Sequence, residues 1–305
     1  MDEGYRITSE SERRNGSPPG PAPRARLRAL TYLAPGIPLG FFETLTEYLA
    51  GALDCEIHLD VESRTSGPMR GDDDPFAGGR ADLGFLCSPS YLYLRARARP
   101  SVELVPAGFV FRDRRNGGEP TYFSDVVVRS DHPAREFADL AGAAWGYNDA
   151  CSLSGYFSTL RKLSELDLGT DFFRAQIQTG SHFRSIQAVL ERSVDAAAID
   201  STVLAGALRQ RPELAGRLRV LDSWGPFPVQ PVVVRSELGS PWAARIAEAL
   251  LALEGAAAPV ERLASFGLDR CAPIDDAAYA GERRALGALG HLPSGWCEAA
   301  RPRRG

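Results

Sequence analysis

The sequence predicts an α/β fold built as two lobes. Short apolar runs alternate with stretches whose apolar residues recur at helical spacing, from Leu27 to Phe266, and that alternation implies a mostly parallel sheet. At 305 residues the chain is long enough for two separate cores. In such sheets ligands sit beyond the carboxyl ends of the strands, so residues at strand-to-helix turns are the first candidates for function.

Leu27 to Leu33 reads as the first strand. It ends in Ala34-Pro35-Gly36-Ile37-Pro38-Leu39-Gly40, which opens a helix with Phe41, Phe42, Leu45, Tyr48, Leu49 and Leu53 on one face. Cys55 to Val61 alternates Ile57, Leu59 and Val61 as a second strand. Glu62 to Gly79 is polar and rich in Gly and Asp, the composition of a surface loop. Within it Asp72-Asp73-Asp74 lacks the spacing of a calcium loop and reads as a solvated turn. Ala81 to Leu86 is the next strand and runs into Cys87-Ser88-Pro89-Ser90-Tyr91 and a helix, which places Ser88, Ser90 and Tyr91 at a cleft edge. Tyr91 is either a wall of that cleft or a core tyrosine. Cys87 stands where a helix start lowers a thiol pKa, but also where a small packing residue is common. Val102 to Phe111 is read as one further strand and Tyr122 to Arg129 as another.

Tyr147 to Ser201 carries the chemistry. After the strand ending at Tyr147, Ser152, Ser154, Gly155 and Tyr156 stand where strand gives way to helix. A helix start leaves N–H groups unpaired and carries partial positive charge, a seat for an anion. Serine hydroxyls add donors, and a glycine lets an oxyanion approach the backbone. The ordinary alternative is that such a serine only caps the helix. Thr179-Gly180-Ser181-His182 opens a second helix, with Ile186, Val189 and Leu190 on its apolar face, and His182 can aim a ring nitrogen into the cleft. Ala196 to Ile199 is a buried strand with Asp200 and Ser201 at its carboxyl end. Asp200 can meet a solute or cap the helix that follows. Arg219 to Ser223 is a last strand here. Val232 to Arg235 returns the chain, and Pro241–Leu253 and Pro259–Phe266 are helices.

The order of these segments resembles the solute-binding proteins of phosphonate, phosphite and phosphate importers. In that family a Ser-Thr-Ser-Gly turn is followed by Gly-Ser-His and by an Asp-Ala-Ala strand ending in an acidic residue. This chain has Ser152-Leu153-Ser154-Gly155, Gly180-Ser181-His182 and Asp195-Ala196-Ala197 running to Asp200, with Tyr122 to Arg129 as a crossover strand. The resemblance covers roughly residues 27 to 280 and implies a two-lobed, type II periplasmic-binding-protein fold. Residues 27–121 and 230–305 would form lobe one and residues 122–229 lobe two, with residues 1–26 a tail. It implies a small anionic solute held between the lobes by Pro35, Gly36, Ser88, Tyr91, Ser152, Ser154, Gly155, Tyr156, His182 and Asp200, a membrane transporter as partner, and no cofactor. Leu153 stands where the family carries Thr, which removes one hydroxyl from the turn. The competing expectation is a cytoplasmic enzyme on the same scaffold, using Cys87, His182 and Asp200.

Composition excludes other classes. A net charge of -4, with no basic stripe, gives no footing for nucleic acid. No run approaches the ~18 apolar residues that span a bilayer. Lys162 is the sole lysine, and its place on a polar helix face argues against a Schiff base. The five cysteines form no Cys-x-x-Cys, so no metal framework is expected; their odd number suits reduced thiols, although a Cys271–Cys297 bridge stays open. The first residues are rich in Ser, Gly, Pro and Arg without an apolar core, which points to a cytoplasmic protein as written. An upstream start would instead make it an extracytoplasmic lipoprotein.

Overall fold

The computed structural model of the protein describes residues 24–32, 36–69 and 74–289. Its first sheet begins with β1 (Ala25–Tyr32), β2 (Cys55–Glu62) and β3 (Leu83–Phe85), joined by α1 (Leu39–Leu53), and is completed by β4 (Val102–Leu104) and β11 (Val232–Arg235). The order is β2-β1-β3-β11-β4, with β1 parallel to β2 and β3 and with β11 antiparallel to both its neighbours. The face of α1 foreseen from periodicity is the buried one, with Phe41, Leu45 and Leu49 fully enclosed. β2 is an edge strand: Ile57 and Leu59 are half-buried and Val61 is exposed.

The second sheet runs β10-β6-β9-β7-β8, from β6 (Thr121–Arg129), β7 (Ala144–Tyr147), β8 (Ala175–Gln178), β9 (Ala196–Asp200) and β10 (Leu218–Pro228). β7 is parallel to β8 and β9, whereas β6 is antiparallel to β9 and β10. Its helices are α3 (Ser158–Glu165), α4 (His182–Leu190) and α5 (Ser201–Gln210). In β9, Ala196 and Ala198 belong to one hydrophobic cluster, Ala197 and Ile199 to another. Successive side chains of a strand point to opposite faces, so a strand covered on both sides reads as an unbroken apolar run. β6 and β10 run side by side, Thr121 opposite Pro228, and lead to the rest of the chain at that end. The architecture is the expected two-lobed α/β fold with two crossover strands.

Differences from the expected elements have local causes. Residues 102–111 form two strands in different sheets, β4 and β5 (Ala107–Phe111), because Pro106 has no N–H for a ladder and Ala107 N turns back onto Val105 O at 2.8 Å. The segment 62–79 is not wholly surface: Ser66, Met69, Asp74 and Phe76 are buried. Asp72 and Asp73 lie outside the described residues, as do Pro35 and Cys297; Asp74 caps the turn that follows, accepting from Phe76 N and Ala77 N. After α6 (Gly239–Leu251) and α7 (Ala257–Ser265) come β12 (Leu268–Pro273), paired with β5, and α8 (Ala280–Ala288). Sequence reading missed both. α8 packs against α2 (Ser88–Arg95).

Candidate functional site

The helix following β7 starts with a widened turn. Leu153–Phe157 is a π-helical turn in which Phe157 N donates to Ser152 O at 3.1 Å, and regular α3 begins only at Ser158. Such turns concentrate at functional sites. Ser152 caps it, accepting from Gly155 N at 3.1 Å. The Ser154 carbonyl accepts from Ser124 Oγ and Ser158 Oγ, each at 2.7 Å. Ser154 Oγ in turn lies 3.1 Å from His182 Nε2. Ser124 stands opposite Asp200 across β6 and β9, and Asp200, Ser124, Ser154 and His182 are all buried.

Gly155 is required by its neighbours. A Cβ there would fall 1.8 Å from Asn148 Oδ1 and 3.2 Å from His182 Cε1. The side chain of Asn148, which sequence reading did not single out, therefore occupies the space directly over the turn. Gly36, at φ 93°, approaches from the first lobe: its Cβ would meet Val203 Cγ1 at 3.1 Å and His182 Cβ at 3.6 Å. Gly36 and His182 are thus brought together.

His182 opens α4 behind the Ser181 cap, whose hydroxyl accepts from Arg184 N at 3.2 Å. Burial pushes its ring pKa down to about 3, so the ring is neutral. Nδ1 is buried without a hydrogen-bond partner among the described residues. Asp200 takes the capping alternative, with Oδ1 accepting from Thr202 N at 2.8 Å and Thr202 Oγ1 at 2.6 Å. Oδ2 accepts from Gln230 Nε2 at 2.6 Å. Burial nonetheless raises its pKa to about 6, the capping bonds working in the opposite direction.

On the other side of the cleft, Cys87 stands at the N-cap position of α2 without a side-chain capping bond, and its Sγ accepts from Leu153 N at 3.4 Å. Burial pushes this thiol pKa well up, opposite to the lowering expected at a helix start. Ser88 is buried, and among the described residues its hydroxyl makes no well-formed hydrogen bond, lying beside the Glu282 carboxyl. Tyr91 is a core residue: its ring meets Tyr279 at 5.2 Å and its hydroxyl donates to Asp276. Tyr156 is buried with its ring 4.9 Å from Tyr147. Ser66 donates to the buried Asp149, which also accepts from Cys151 N at 2.8 Å.

The three groups of the enzymatic alternative do not form a relay. Cys87 Sγ faces Leu153 N, His182 Nε2 faces Ser154, and the oxygens of Asp200 are taken by Thr202 and Gln230. Lys162 Nζ lies 3.7 Å from Asp222 Oδ2 on the outside of α3. Among the described residues no cluster of His, Cys, Asp and Glu suits a metal ion, and no helix is long and apolar enough to cross a membrane.

Two lobes joined by paired crossover strands, with capped helix starts facing the cleft, define a type II binding protein. The chain belongs to the family of periplasmic substrate-binding proteins of phosphonate ABC transporters, whose profile matches residues 41–279. Solved structures agree on the fold. A phosphonate-transporter binding protein from Pseudomonas aeruginosa is 17% identical with a TM-score of 0.71, covering 86% of this chain and 85% of that one. PhnD1 from Prochlorococcus marinus, solved with methylphosphonate, is 15% identical with a TM-score of 0.72, covering 88% and 99%. The aliphatic sulphonate binding protein SsuA of Escherichia coli is 16% identical with a TM-score of 0.56, covering 87% and 86%.

Proposed function

We propose that this protein binds a phosphonate or similar small oxyanion, without catalysis, in the cleft between its lobes and closes over it. Lobe one would be residues 27–121 and 230–305, of which 33–35, 70–73 and 290–305 lie outside the described residues, and lobe two residues 122–229. The observation that carries the reading is the turn Ser152-Leu153-Ser154-Gly155, a capped helix start tied to His182 through Ser154. Its donors are neutral: serine hydroxyls and backbone N–H groups, with no buried arginine or lysine among the described residues. Neutral donors aimed at a desolvated anion are effective because the water they replace is gone. Leu153 brings no hydroxyl to the turn, and its N–H is given to Cys87 Sγ. Ligand contact by Gly36, Ser88, Ser152, Ser154, Gly155, His182 and Asp200 is part of this proposal. Tyr91 and Tyr156 shape the surrounding core. Closure shifts an open–closed equilibrium by the ligand's differential affinity for the two states.

The partner of such a protein is a membrane transporter, and its place of work is the periplasm. The family description supports that compartment over the cytoplasmic one. Calorimetric titration with methylphosphonate tests the site. Replacing both Ser152 and Ser154 by Ala removes donors worth roughly 1.5–3 kcal/mol each, so affinity should fall about a hundredfold or more with the fold intact. Unchanged affinity in the double variant defeats the reading.

A further inference from the structure

Glu282 is a buried acid whose carboxyl oxygens have no ion pair and no well-formed hydrogen bond among the described residues, the nearest polar group being Ser88. It lies on α8 with 4% of its surface exposed, and both Oε1 and Oε2 are buried without a hydrogen bond. Ser88 Oγ sits beside it, near enough to favour the charged form but outside hydrogen-bond geometry, and is itself unpartnered. The groups around Glu282 are Ser88 and Cys87 of α2, Tyr122 of β6, Tyr279 ahead of α8, and Arg161 of α3. Arg161 is half-exposed and paired with Glu165 at 2.7 Å, so it does not neutralise the acid. Cys87, next to Ser88 in the chain, receives the Leu153 N–H, which brings Ser88 and this acid near the turn proposed to hold the solute.

An isolated carboxylate in such a place is costly, and the group answers by keeping its proton. Burial raises the Glu282 pKa to about 8. A neutral carboxylic acid carries an O–H donor, a use of buried acids known elsewhere. We infer that Glu282 is a further solute-binding residue, which enters the cleft as a neutral carboxylic acid and donates its O–H to an oxygen of the bound oxyanion, with Ser88 as a second donor. This rests on the phosphonate-site reading above. Its consequence is a pH-dependent affinity. The protonated form prevails below about 8, so binding is retained there and lost above it, by about tenfold for each further pH unit.

The test is calorimetric titration of methylphosphonate between pH 6 and 10 (about two units either side of the transition) with wild type, Glu282→Gln, Glu282→Ala and the Ser152→Ala/Ser154→Ala double variant. Methylphosphonate has its own ionisation, common to all proteins, so the readout is the difference between profiles. Glu282→Gln keeps an N–H donor and should bind well while losing the steep fall at alkaline pH. Glu282→Ala should bind about ten- to a hundredfold more weakly at neutral pH. Infrared difference spectra should show a protonated-carboxyl band that shifts on adding methylphosphonate and is missing in Glu282→Gln. Superimposable wild-type and Glu282→Gln profiles, or an unperturbed band, overturn the inference even if the serine variant loses binding, in which case the site reading stands. If Glu282→Ala does not fold, the isosteric Gln variant and the infrared band decide. No heat and no band shift with wild type at any pH defeat both.

Discussion

Gln230 Nε2 donates to Asp200 Oδ2 at 2.6 Å, linking the segment after β10 to the carboxyl end of β9. The two residues meet where the chain leaves the second sheet for the first. The other amide atom, Gln230 Oε1, is buried and unpartnered among the described residues. Asp200→Asn should therefore be tolerated: the new amide still caps α5 through its oxygen, and a flipped Gln230 accepts from its NH2.

That variant carries a pH signature. The folded pKa of Asp200 is raised from 3.8 to about 6, so the folded state holds this proton more tightly than the unfolded chain. The stabilisation is complete below the unfolded pKa and is lost as pH rises through the folded one. Between pH 4 and 7 wild type should lose stability relative to Asp200→Asn, by up to about 3 kcal/mol. Denaturant titrations of both proteins across that range check it; parallel curves would mean that Asp200 titrates normally.

Gly155→Ala should be severe. The added methyl would lie 1.8 Å from Asn148 Oδ1, so the amide or the turn must move. Overpacking of this kind costs about 1–3 kcal/mol, and displacing the turn should abolish methylphosphonate binding. Equilibrium unfolding and titration measure the two effects separately. Wild-type affinity in this variant would show that the turn is not the anion seat.

Cys87 separates binder from enzyme. As the acceptor of Leu153 N–H with a raised thiol pKa, it is a packing residue, and Cys87→Ser can accept the same bond. Affinity for methylphosphonate should change by no more than about tenfold, the scale of one neutral hydrogen bond. The ligand's mass should stay constant during hours with wild type. A ligand converted by wild type but not by Cys87→Ser would establish the enzymatic alternative.

Compartment is open to direct measurement. Fractionation of the native host should recover the protein from the periplasm or as a processed, membrane-anchored form, in step with the family. Recovery only with soluble cytoplasmic markers would overturn that placement and revive the cytoplasmic reading of the first residues.

By itself the sequence determined what depends on local order. The apolar stripe of α1, the buried run of β9, and the capped turn at Ser152 and Ser154 all follow from residues a few positions apart. Short-range periodicity and capping leave such marks because their partners are near neighbours in the chain. Tertiary structure alone decided which partners the polar groups take. Tyr91 could be read as a cleft wall or a core tyrosine, and its hydroxyl donates to Asp276, 185 positions away. Ser66, in a segment that reads as polar surface, is buried on Asp149. Asp200 caps the helix start and also accepts from Gln230, 30 positions away. Glu282 was the least legible, because a glutamate on a short terminal helix ordinarily faces water. Only the packing of α8 against α2 encloses it, and contacts between elements so far apart in the chain leave no trace in periodicity.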